Sequence, residues 1–80
     1  WDTSLIDDMS LLFRNKKNFN DNINNWNVSL VNDMSFMFDG AISFNQPLNS
    51  WDVSLVTDMK DMFDDAISFN KNNAPWYDFN

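Results

Sequence analysis

Apolar residues return along the chain at a fixed interval. Tryptophan stands at positions 1, 26, 51 and 76, each 25 residues after the last. Three units laid under one another agree at Trp1/Trp26/Trp51, Ser4/Ser29/Ser54, Leu5/Leu30/Leu55, Asp8/Asp33/Asp58, Met9/Met34/Met59, Phe13/Phe38/Phe63, Phe19/Phe44/Phe69 and Asn20/Asn45/Asn70. A period of this length marks a single supersecondary unit that buries its apolar face only by stacking on the next. Within a unit, Trp51 and Val53 flank a polar Asp52, so they share a face and predict a short strand over 48–53. Met59, Met62, Phe63 and Ala66 stand at i, i+3, i+4 and i+7, the stripe of a helix of one to two turns. Asp8, Asp33 and Asp58 precede that stripe, where a carboxylate accepts the first free N–H groups of a helix. Asn15, Gly40 and Asp65 follow it in one column. These residue types tolerate the left-handed conformation of a helix C-cap, so all three are expected at positive φ.

Beyond the cap, Phe19, Phe44 and Phe69 are expected to point inward. The adjoining Asn20, Asn45 and Asn70 form a column of amides able to bond neighbouring backbones. The units divide as 1–25, 26–50 and 51–75, with 76–80 a partial or capping repeat. The first and last units depart from the pattern, as Lys16 and Lys17 replace Ala and Ile, and Tyr77-Asp78-Phe79 abandons it. Atypical terminal repeats are what capping looks like, and truncation of a longer array gives the same appearance. The chain opens on Trp1 in mid-pattern without an initiating Met, which points to flanking sequence.

Leu48, Trp51, Val53 and Val56 follow the L-x-x-L-x-L-x-x spacing of leucine-rich repeats. The expected fold is therefore an α/β repeat solenoid, right-handed and leucine-rich-repeat-like. Each 25-residue coil would carry one short parallel strand and one short helix. The run Phe44-Asn45-Gln46-Pro47-Leu48-Asn49-Ser50-Trp51-Asp52-Val53-Ser54, continued by Val56-Thr57-Asp58-Met59 and Met62-Phe63, resembles BspA-like leucine-rich-repeat bacterial surface proteins. The same short repeat abounds in mycoplasma surface lipoproteins. The first unit departs from it, with Thr3 for Val, Leu12 for Met and Asn22-Ile23 for Pro-Leu. The resemblance covers essentially the whole chain. It implies an extracellular or cell-surface location and a role in adhesion or recognition, and it names no ligand and no catalytic residue.

Composition narrows the chemistry. The 80 residues hold 5 basic and 12 acidic side chains, a net charge of −7, and every acid is aspartate. Such a surface repels nucleic-acid phosphates and anionic lipid heads, so neither is an expected partner. No apolar run reaches membrane-spanning length, so membrane insertion within this segment is not expected either. With no Cys, His or Glu, the usual nucleophile–base pairs, thiolate zinc sites and disulfides cannot be built. Asp61, Asp64 and Asp65 are read as solvated surface rather than a catalytic pair, since a site needs a cleft and shifted pKa values. Asp39, Asp64 and Asp65 suit calcium by ligand type. Arg14 and Asn15 occupy the same columns in the first unit, which argues against a dedicated calcium turn.

The tryptophan column alternates with polar residues and is read as core rather than a sugar-stacking platform. The Ser4/Ser29/Ser54 column reads as turn hydroxyls. A binding face, if present, is the outward side of the predicted sheet: Asp2, Asn25, Asn27, Ser50 and Asp52, repeating at about 4.8 Å. The functional expectation is a non-catalytic module without a cofactor, engaging a protein or glycan on that strand face. The alternative is an architectural module that stacks end to end on identical or neighbouring repeats. A calcium-dependent binding module is the weaker third reading.

Overall fold

Backbone bonding repeats with the sequence, in a form other than the expected one. The computed structural model describes residues 2–79, and Trp1 of the tryptophan column lies outside them. In the first unit, bonds from i+3 to i close turns at 3–6, 9–12, 11–14, 13–16, 16–19 and 23–26. The same turns recur at 28–31, 34–37, 36–39, 38–41, 41–44 and 48–51, and again from 53–56 to 66–69. Where one residue closes a turn, its neighbour reaches out of the unit. Met9, Leu11, Phe13 and Asn15 donate to the carbonyls of Asp33, Ser35, Met37 and Asp39 at 2.8–3.0 Å. Met34, Phe36, Phe38 and Gly40 donate to Asp58, Lys60, Met62 and Asp64 at 2.8–2.9 Å. The return bonds run the other way, from Asn32 N–H to Asp7 and from Thr57 N–H to Asn32.

The α/β class and the leucine-rich-repeat-like solenoid are overturned by this bonding. Among the described residues there is no α-helix and no β-strand. Regular structure is limited to a three-residue 3-10 helix, Lys71–Asn73, and to isolated parallel bridges of Asp33 with Asp8 and with Asp58. Neither the strand over 48–53 nor the helix over 59–66 forms. The chain packs as a compact body of 29 × 28 × 20 Å.

Positive φ explains why no helix forms. Asn15, Gly40 and Asp65 take φ of 60°, 72° and 58°, the sign expected of their column. They sit third in four-residue turns rather than behind a helix, as in turns of type II. A second column, Leu11, Phe36 and Asp61, also takes positive φ, at 64°, 57° and 52°. Left-handed backbone at every fourth residue breaks any right-handed helix. Each non-glycine residue held there costs about 1–2 kcal/mol. At Leu11 and Phe36 a bond to the next unit accompanies that geometry and offsets the cost, while Asp61 takes it without one. At Gly40 a Cβ would also run into Asn15 Oδ1 of the unit before, so both φ and space favour glycine.

The core follows the columns. Val28, Val31, Met34, Met37, Phe38, Ala41, Phe44 and Leu48 of the middle unit are buried. Phe13, Phe38 and Phe63 stack with centroids 5.5 and 5.3 Å apart, and Phe19, Phe44 and Phe69 with 5.4 and 5.7 Å. Trp51 and Trp76 stack at 6.2 Å, and each indole N–H donates to a carbonyl 28 residues earlier, Ile23 and Leu48 respectively. The asparagine column bonds as its position suggested: Asn20 Oδ1 accepts from Asn45 N–H, and Asn45 Oδ1 from Asn70 N–H. Thr3, which departs from the valine of its column, is buried and donates its hydroxyl to the Asn27 carbonyl at 2.7 Å. The far end is covered by Tyr77 and Phe79, which lie against Phe63.

Candidate functional site

Each unit presents a tip made by its 3–6, 28–31 or 53–56 turn. Asp2, Asn27 and Asp52 stand just before the tips, and each accepts the N–H of the serine two residues on: Ser4, Ser29 and Ser54, all at 3.0 Å. The Ser4 and Ser29 hydroxyls donate to the same oxygens. Short polar side chains bonded to their own backbone in this way define the turn locally. The expected binding residues are thus exposed, but they do not line a strand face, because there is no strand. Asn25 and Ser50 are exposed in the loop before the tips, where Ser50 N–H donates to Asn24 Oδ1.

At the tips stand residues that the sequence reading left unassigned. Leu5, Leu30 and Leu55 are 85%, 45% and 53% exposed. The next residue turns inward in the middle unit, where Val31 is fully buried. An identical apolar residue is therefore kept in all three units at a position that contributes little to the core. The signal was present in the sequence as an identical column outside the strand and helix patterns. Residues 2–9, 27–34 and 52–59 carry six aspartates and no basic residue, so this leucine ridge has an acidic rim.

The second cluster is made of carboxylates from two units. Carboxylate oxygens of Asp39, Asp64 and Asp65 come within 4.8 Å of one another. Arg14 Nε, in the same column one unit earlier, donates to Asp39 at 3.0 Å. Asp65 beside it, then burial, Asp39 and Asp61, push the Asp64 carboxyl above the ordinary aspartate value. Asp2, Asp8 and Asp52 move the other way, held down first by the side chains of Ser4, Ser10 and Ser54 and then by their N–H groups. The consequences for stability have opposite signs. The lowered aspartates contribute stability above the unfolded value near 3.8, and this is lost as pH falls through their folded values. Asp64 instead destabilises at neutral pH and relents as pH falls through its raised value. Carboxyl carbon shifts followed by NMR should place the Asp64 midpoint above those of Asp2, Asp8 and Asp52. A midpoint for Asp64 at or below that of Asp52 would show that the three carboxylates are not held together.

A third feature is the first unit's outer end. Phe13 and Phe19 stack at 3.9 Å and remain partly exposed, floor to an open hollow of about 650 Å³ edged by Leu12, Lys16, Lys17 and Asp21. Among the described residues, no helix is long and apolar enough to cross a membrane.

Turns that recur at 25-residue intervals and bond in register define an internally repeated protein whose repeated polar columns serve chiefly its own backbone. The chain belongs to the family described as Mycoplasma protein of unknown function, DUF285, whose model matches residues 1–80. No curated protein and no solved structure matches it.

Proposed function

We propose that this chain is a non-catalytic recognition module displayed at the cell surface, and that it engages protein partners through the leucine ridge. The observation that carries this reading is the exposure of Leu5, Leu30 and Leu55 in a column identical in every unit. Apolar side chains aligned on a surface and rimmed by charge mark interaction sites. Their aliphatic character favours a protein over a glycan, which binds planar aromatic faces, and Trp51 is buried. The resemblance of residues 44–63 to BspA-like and mycoplasma surface repeats supports display outside the cell.

Antibody to this chain should label intact mycoplasma cells that carry it, before permeabilisation. Fluorescent chain should bind saturably to cells of a mycoplasma host. The triple variant Leu5→Ser, Leu30→Ser, Leu55→Ser should keep its unfolding midpoint and lose at least tenfold in that binding. Pre-treating the cells with protease should abolish binding, and glycosidase should not. Equal binding by the triple variant removes the ridge from the reading, and labelling only after permeabilisation removes surface display.

A further inference from the structure

The leucine ridge has a pitch and a charge pattern, and both bear on what fits it. Leu30 is 45% exposed although a unit stacks on either side of it, so its exposure belongs to the repeat itself. The three tips are held in register by bonds on both flanks. Before them, the Thr3 hydroxyl donates to the Asn27 carbonyl at 2.7 Å. Behind them, Asn32 N–H donates to the Asp7 carbonyl at 2.8 Å and Thr57 N–H to the Asn32 carbonyl at 2.9 Å. Parallel bridges then join Asp33 to Asp8 and to Asp58. The leucines therefore repeat at the pitch of the stack. Backbones paired in this way lie about 4.8 Å apart, and the phenylalanine rings of successive units have centroids 5.3–5.7 Å apart.

That pitch selects a shape. One turn of an α-helix rises about 5.4 Å, so a helix laid along the ridge sets each of its turns against one unit. Same-face side chains of an extended chain recur every ~6.6 Å and are out of step by the third leucine. Amphipathic helices dock on apolar surfaces in this way, through residues at i, i+4 and i+7.

Charge defines the flanks. Three residues before each leucine stand Asp2, Asn27 and Asp52, and three residues after it stand Asp8, Asp33 and Asp58. Asp7 adds a sixth carboxylate, and Lys60, just beyond this rim, is the nearest basic residue along the chain. In both rows the Oδ1 atom accepts the N–H two residues on, which fixes these side chains beside the ridge. A helix with lysine or arginine on both edges of its apolar stripe would meet a row of carboxylates on either side.

We propose that the ridge takes a basic amphipathic helix of a partner protein, with its aliphatic stripe on Leu5, Leu30 and Leu55 and its cationic edges on the two aspartate rows. This rests on the ridge being a recognition surface, and it names the chemistry of the partner.

Fluorescence anisotropy with synthetic peptides of about 18 residues, long enough to form a helix, tests it. A leucine–lysine peptide with its leucines at helical spacing should bind at least tenfold more tightly than its leucine–glutamate counterpart, and added salt should weaken it. It should hold the same margin over a leucine–lysine peptide in strict alternation. Asp2→Asn with Asp52→Asn tests the rim without loss of the turns, because Asn27 already accepts the Ser29 N–H in that column. This pair should keep its unfolding midpoint and bind the helical leucine–lysine peptide at least threefold more weakly. The triple variant Leu5→Ser, Leu30→Ser, Leu55→Ser keeps every carboxylate, so its loss of peptide binding separates the ridge from attraction between opposite charges alone. Equal affinity for the lysine and glutamate peptides overturns the proposal, as does undiminished binding by the triple variant. Tighter binding of the alternating peptide overturns it in favour of an extended partner. Where any of these accompanies ridge-dependent binding to host cells, the recognition surface stands and this partner chemistry alone falls.

Discussion

Phe38→Ala should cost about 3–5 kcal/mol, the range for emptying a buried phenylalanine site. Phe38 is fully buried, and its ring stacks on Phe13, Phe44 and Phe63 and tilts against Trp51. Small domains have about 5–15 kcal/mol of stability in all, and one of this size lies at the lower end. The variant is therefore expected to be largely unfolded at 25 °C. Near-ultraviolet circular dichroism and tryptophan fluorescence through a urea titration report it better than far-ultraviolet signals, since the native chain has almost no helix. Phe13→Ala is the informative partner. It removes the same side chain from the same column, but at an end where the ring is partly exposed, so its cost should be about half as large. Equal costs for the two would mean that the aromatic column does not gain from being covered on both sides.

Trp51→Phe should cost about 1–3 kcal/mol, with the midpoint of urea unfolding lowered and its slope unchanged. The indole N–H of Trp51 donates to the Ile23 carbonyl at 3.0 Å, and both residues are buried. Phenylalanine keeps most of the ring packing and cannot donate, which leaves a carbonyl away from water without its partner. Trp76→Phe breaks the equivalent bond, to Leu48, at a residue that is only half-buried. The Leu48 carbonyl is buried, but the Trp76 ring over it is partly exposed, so a shorter ring lets water approach and the loss there should be smaller. A smaller effect at Trp51 than at Trp76 would contradict the burial that separates them.

Both comparisons exploit a property of repeated chains: equivalent residues differ only in place. The sequence showed the equivalence in full. It also showed that the Asp8/Asp33/Asp58 and Asn20/Asn45/Asn70 columns accept backbone N–H groups, whereas Asp2, Asn27 and Asp52, read as a binding face, accept them as well. The left-handed backbone of Asn15, Gly40 and Asp65 was legible too, since three residue types share that tolerance. Leu11, Phe36 and Asp61 gave no such warning. Nothing in leucine or phenylalanine announces positive φ; at Leu11 and Phe36 it goes with a bond to the next unit, and Asp61 takes it without one.

That column is where the helix reading failed. Met59, Met62, Phe63 and Ala66 have helical spacing, and a run of overlapping four-residue turns brings residues three and four apart to one side as a helix does. Periodicity therefore cannot tell the two apart. The strand to which the polar residues flanking the tryptophans were assigned fell by the same step, though those residues are exposed. The exposed leucines were visible as an identical column, but only burial separates Leu30 from Val31, its immediate neighbour.

By itself, then, the sequence determined the 25-residue period, the columns that share an environment and the acidic balance. All of these follow from local chemistry or from counting. The tertiary structure decided that the backbone makes turns rather than strand and helix, and which apolar columns face water. In the first two units those outcomes go with alternate N–H groups that find acceptors in another unit.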